Sequence, residues 1–135
     1  MTIEDTVFLK LDAEWMYERY RRYLECETGP AFILSDDANS PLCAFGCAVL
    51  WDGVAEAWFN LIRKENTITQ IRIVKRCIES QIVKLKIRRL HATAKCTSDI
   101  SKKFVEAMGF RCETPFGMKA YNPDGSAAYL YSRTV

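Results

Sequence analysis

The chain has 135 residues, 49% of them hydrophobic and 27% charged, with a formal net charge of +2. That is enough for one domain with a single core, too little for two, and too apolar for a disordered chain. So small a net charge supplies no whole-molecule field for nucleic acid or an anionic membrane, and no apolar run reaches the roughly 20 residues of a membrane-spanning helix.

The first predicted element is a short strand in "TVFLKL", Thr6 to Leu11. "DAEWMYERYRRYLECETG" then opens on Asp12, a candidate N-cap. It sets Trp15, Met16, Tyr20, Tyr23 and Leu24 at helical spacing and closes at Gly29-Pro30. The acidic leading segment lacks the basic-then-apolar order of a secretion signal, which points to a cytoplasmic setting. Three strand-like runs follow: "AFILS", "PLCAFGCAVLW" and "VAEAWFNLI". "DDANSP" separates the first two and Asp52-Gly53, a tight-turn dipeptide, the last two, so the spacing predicts an antiparallel meander. In the middle run both alternating sets, Cys43-Phe45-Cys47-Val49-Trp51 and Ala44-Gly46-Ala48-Leu50, are apolar, which predicts burial on both faces.

Ile68, Ile71, Val74, Ile78, Ile82 and Leu85 then recur at three- and four-residue steps and define a long helix. Nine Lys or Arg against two Glu lie between Arg63 and Arg89, so its other face is basic. Arg72, Arg76, Lys84, Lys86, Arg88 and Arg89 form either a solvated face or a surface for phosphate or an acidic partner. No aromatic residues interleave them, so stacking on single-stranded nucleic acid has no support and nucleic acid is not expected as a partner. "RLHATAKC" reads as a strand. "SDISKKFVEAMGF" reads as a helix capped at Ser98 or Asp99 and stopped by Gly109 in the left-handed conformation. "MKAYNPDGSAAYLYSRTV" predicts a closing hairpin turned at Asn122-Pro123-Asp124-Gly125, with Tyr129 and Tyr131 on one face.

The six cysteines lie in apolar segments with no CxxC pair, which favours free thiols in a reducing compartment. His91 is the only histidine, so a histidine-rich metal site is excluded. On a central strand it reads first as a core or edge residue, and its pairing with Cys96 carries little weight because positions five apart on a strand face opposite ways. The expected fold is a single α+β domain over residues 1–135: a mixed, mostly antiparallel sheet flanked by helices, in the order β-α-β-β-β-α-β-α-β-β.

That order, with the stretch from Ser98 to Phe110, resembles the GNAT superfamily of acyl-CoA-dependent N-acetyltransferases. The family's helix pattern N-x-x-A-x-x-(L/F)-Y-x-x-x-G-F is met here by Ser98 at the Asn position, Phe104 at Leu/Phe, Val105 at Tyr and Gly109-Phe110 at the end. The resemblance implies acetyl-CoA as ligand, held partly by the main chain of splayed fourth and fifth strands. It also implies a phosphate loop of pattern (Q/R)-x-x-G-x-(G/A), matched best by Arg63-Lys64-Glu65-Asn66-Thr67-Ile68. Arg63, Lys64, Asn66 and Thr67 are then the cofactor-binding candidates. Asn66 tolerates the left-handed backbone of the first glycine, whereas β-branched Ile68 replaces the second. The other reading is an ordinary strand-to-helix loop with Asn66 as N-cap.

Glu56, in "AEAWF", is the candidate base and catalytic residue; its other reading is a solvent-facing glutamate. Val105 cannot donate the proton that the family's tyrosine gives, which leaves Tyr121, Tyr129 or Tyr131 as substitutes or as packing aromatics. A narrower resemblance, in "AEAWF", the basic helix and the "Y-x-x-DG…Y" ending, is to small tailed-phage proteins of the internal virion protein group. It implies a phage protein of the host cytoplasm or the virion. Two functions follow from these resemblances: an N-acetyltransferase-related protein with a degenerate cofactor loop and weak or absent catalysis, and a non-catalytic or virion-associated protein acting through a phage or host protein partner.

Overall fold

The computed structural model describes residues 2–5, 29–38, 40–63 and 66–135. The strand expected over residues 6–11 and the helix expected over residues 12–28 lie outside them. Strand β1, Thr2–Asp5, precedes that segment. The meander forms as expected, with β2 at Ala31–Ser35, β3 at Pro41–Trp51 and β4 at Val54–Leu61. Gly53 at φ 79° makes the tight turn between the last two. Helix α1, Thr67–Lys84, lays Val74, Ile78 and Ile82 into the core, as its three- and four-residue apolar spacing requires. Strand β5, Arg89–Lys95, and helix α2, Asp99–Ala107, follow.

Both ends of α2 obey their sequence signals. The Ser98 hydroxyl accepts from the Ser101 N–H at 3.3 Å, the N-cap contact. At the other end Gly109 adopts φ 90°, the Phe110 N–H donates to the Val105 carbonyl, and Phe110 enters the core. The chain closes with β6, Arg111–Cys112, paired to β7, Ala128–Thr134.

The sheet order is β1-β2-β3-β4-β5-β7-β6, and only β4 and β5 run parallel. Leu34, Leu42, Phe45 and Leu90 are almost fully enclosed, and the Phe32 and Phe45 rings stack at 5.5 Å. Residues Phe45, Cys47, Ala55, Ala92 and Tyr131 share one core cluster with Val74 and Ile78 of α1 and Val105 of α2.

Two expectations need correction. Strand β3 is buried on both faces only from Leu42 to Ala48. Val49 and Leu50 are exposed and Trp51 is 62% exposed, because the hairpin tip projects past the packed layer. The arm from Met118 to Tyr121 does not form a hairpin strand: Met118 makes one bridge to Ala128, and the two-residue β6 supplies the paired strand instead. Left-handed backbone at Gly117 and Ala120 breaks the extended run that a strand would need. The expected turn itself is present, with the Gly125 N–H donating to the Asn122 carbonyl.

Candidate functional site

Strands β4 and β5 pair over three residues only: Val54 with Arg89, Ala55 with Leu90 and Glu56 with His91. Beyond that point they part. The edges of Ala57–Leu61 and Ala92–Lys95 face each other without a ladder, although β4 remains paired to β3 and β5 to β7 on their other edges. A cleft of about 1350 Å³ opens in the gap, lined by both strands, α1, α2 and the turn at residues 121–124. Main-chain N–H and C=O groups along such edges demand hydrogen-bond partners, so the gap suits an extended ligand that supplies amide-like groups. Phe59 of β4 and Phe104 of α2 stack at 4.0 Å, joining the two arms on the core side.

Glu56 lies at the last paired position, where the gap begins, and lines the cleft. Alternation along β4 puts Trp58 and Asn60 on the same face as Glu56. Asn60 is only 6% exposed and lines the cleft, and its Nδ2 has no hydrogen-bond partner. His91 Nδ1 is the other buried side-chain atom without a partner among the described residues. Sequence reasoning missed Asn60, because an asparagine inside "AWFNLI" carries no motif. It passed over His91 as a core residue.

The loop before α1 is divided. Arg63 is turned to the β2–β3 loop, where its guanidinium pairs with Asp36. Asp36 also accepts from the Ser40 and Ala38 N–H groups, and these contacts, Ser40 first and Arg63 next, lower its pKa. Lys64 lies outside the described residues. Asn66 is the N-cap of α1 with φ 46° and ψ 63°, the left-handed backbone that a glycine would otherwise supply. Its side chain accepts no capping bond, and α1 has no acidic residue in its first turn. Thr67 lines the cleft. Ile68 is 73% exposed, so its branched side chain points out to solvent. Buried Gln70 donates to the Arg63 carbonyl at 3.2 Å and ties the loop to the helix.

No tyrosine hydroxyl stands at the helix position expected for the acid. Val105 is buried there and lines the cleft. The Tyr131 hydroxyl donates to Glu106 at 3.2 Å, and burial first, then Glu106, pushes its pKa up to about 12. Tyr129 packs edge-on against Tyr131 under the Lys102 ammonium. Tyr121 does line the cleft. Burial pushes the Cys43 and Cys47 thiols up to about 12, so neither is a nucleophile at neutral pH. Among the described residues no cluster of His, Cys, Asp and Glu is arranged to hold a metal ion, and no helix is long and apolar enough to cross a membrane.

Outside the cleft lining, Glu113 accepts two bonds from Arg89, at 2.8 and 2.7 Å, and one from the Ser132 hydroxyl at 2.6 Å. Arg89 first and Ser132 next hold its pKa down to about 2, against 4.5 for an ordinary glutamate. A carboxylate with a depressed folded pKa contributes stability that is complete above its unfolded value and lost as pH falls through its folded one. The melting temperature should therefore drop between pH 4.5 and about 2. Glu113→Gln should remove part of that drop in melts followed by circular dichroism, and an unchanged acid limb would count against the network.

No protein-family model matches the sequence, and no curated protein matches it. Solved structures do. A spermidine N-acetyltransferase variant from Vibrio cholerae superposes with a TM-score of 0.71 at 9% identity, covering 99% of this chain and 95% of that one. A chimera of the Vibrio cholerae spermidine enzyme with hSSAT gives 0.70 at 10%, covering 99% and 96%. The ribosomal-protein-S5-alanine acetyltransferase from Vibrio fischeri gives 0.68 at 15%, covering 90% and 69%. At such identities the likeness is one of architecture, and it agrees with the mixed sheet, with one helix between β4 and β5 and one after them: the chain has the GNAT N-acetyltransferase fold.

Proposed function

We propose that this protein binds an acyl-CoA in the gap between β4 and β5 and acts as a slow N-acyltransferase, with Glu56 as the base. The observation that carries this reading is the parting of the two strands immediately after the Glu56 and His91 pair. The residues fit such a ligand. The Asn60 amide, buried in the cleft and without a hydrogen-bond partner among the described residues, suits a carbonyl of the kind a pantetheine arm provides. The first turn of α1, entered through left-handed Asn66 and free of acidic side chains, suits phosphate, with Thr67 beside it. Arg63 and Lys64 are the proposed cations of this loop, and Arg63 would first have to leave Asp36.

When bound, the acyl-CoA supplies an activated acyl group on a thiol leaving group. The chain's own part is to hold an amine beside Glu56, take its proton and exclude water with Trp58 and Phe59. Val105 gives no proton to the departing thiolate, which supports weak turnover. Val105 is also the observation that favours the second reading, a binding component that acts through a phage or host protein in the host cytoplasm or the virion. The resemblance to phage proteins supports that setting.

The test is isothermal titration of the reduced protein with acetyl-CoA and with its dephospho analogue. Binding is expected, weaker for the analogue. Asn60→Leu, which removes a buried donor at nearly constant volume, should weaken it about tenfold. Silence at millimolar ligand would end the enzyme reading and direct the work to partner capture.

A further inference from the structure

We propose that His91 is a proton relay for Glu56, with Glu113 holding the charged imidazole. This rests on the reading of Glu56 as the base. Four strands contribute to one polar row on one face of the sheet. Glu56 of β4 is in register with His91 of β5, and His91 is in register with Ser132 of β7. Adjacent strands stand about 4.8 Å apart, so paired side chains rise side by side. The Ser132 hydroxyl donates to Glu113 at 2.6 Å. Arg89, two residues before His91 and on the same face, clamps the Glu113 carboxylate. Arg111 of β6 is in register with Ser132 and closes the row.

The imidazole is thus flanked by the Glu56 carboxylate on one side and, beyond Ser132, by a carboxylate that Arg89 and Ser132 keep ionised. Its Nδ1 is buried and has no hydrogen-bond partner among the described residues. An orphaned buried ring nitrogen is a cost that the fold retains. A nitrogen left open to take a proton from Glu56 is a use for it.

The step balances without a further reactant. The ammonium N–H breaks and its proton passes to a Glu56 oxygen. The proton then moves to the His91 Nδ1 lone pair, and the imidazolium releases its other proton from Nε2 to water. The amine keeps the electron pair with which it attacks the acyl carbon. His91 acts through Glu56 and is a positioning residue, not a catalytic one.

As the chain's only histidine, His91 gives a single imidazole signal in histidine-labelled protein. Its nitrogen NMR shifts should change in Glu56→Gln and in Glu113→Gln, since each replaces a carboxylate of the same polar row. In kinetics with acetyl-CoA and either a polyamine or an alanyl peptide, His91→Ala should lower kcat about a hundredfold with KM unchanged. Added imidazole should restore part of the loss, which a merely structural role would not allow. His91→Gln, closer in size, repeats the measurement if the alanine variant does not fold. A His91 signal unchanged in both glutamate variants of an active protein, or full kcat in a folded His91 variant, overturns the relay alone. A wild-type protein that transfers no acyl group to either acceptor overturns the acyltransferase reading and the relay with it.

Discussion

Replacing Glu56 with Gln should lower acyl transfer about 10²- to 10³-fold while leaving acetyl-CoA affinity unchanged, because the amide keeps the shape of the side chain and loses the basic oxygen. The asymmetry between rate and binding follows from position. Glu56 stands where β4 and β5 begin to part, at a position of β4 whose backbone is still paired on both sides. A group held there is poorly placed to grip the length of an extended ligand and well placed to meet its reacting end. Thiol release under saturating acetyl-CoA, with affinity measured in parallel by titration, reads both quantities. Full turnover by the variant would remove Glu56 from the chemistry, and a parallel fall in affinity would make it a binding residue instead.

Gly46→Ala should destabilise the fold by about 3 kcal/mol, the upper part of the range for overpacking a well-filled site. A Cβ at Gly46 would lie 2.4 Å from the Pro30 carbonyl oxygen and 3.0 Å from both the Ala31 Cα and the Trp58 ring. Two of these neighbours are backbone, and the Pro30 carbonyl already accepts from the Cys47 N–H at 3.0 Å. The chain entering β2 therefore has little room to retreat without giving up its first contact with β3. Chemical denaturation with a two-state fit should show a lower midpoint at unchanged slope. A midpoint equal to wild type would mean that β2 shifts freely. Since the third neighbour is Trp58, which lines the cleft, the same variant should also weaken acetyl-CoA binding.

Much of this fold is legible in local pattern. Short apolar runs bounded by turn residues mark β2, β3 and β4, Asp52-Gly53 marks their last turn, and three- and four-residue apolar spacing marks α1. Ser98 and Gly109 bound α2 through backbone chemistry that depends on almost nothing beyond the helix itself. What escapes local pattern is set by partners distant in the chain. Arg63 turns to Asp36, 27 residues earlier, and no reading of the loop alone contains that carboxylate. The exposed end of β3 follows from where the covering layer stops, and β6 displaces the expected hairpin arm because Ala120 adopts a backbone that no residue-type rule assigns to alanine. Glu56, Asn66 and Thr67 were readable as candidates, and the fold places Glu56 and Thr67 along the cleft. The register that sets His91 beside Glu56 was not readable, since it depends on how far two parallel strands stay together.

The parted strands have a consequence for how this architecture can be encoded. A strand edge is made of peptide groups, which nearly every amino acid supplies in the same form, so Ala57–Leu61 and Ala92–Lys95 place few demands on residue identity along their parted edges. The same geometry can therefore be built by sequences with little in common, as this chain shows: near 10% identity to proteins that it superposes on almost end to end.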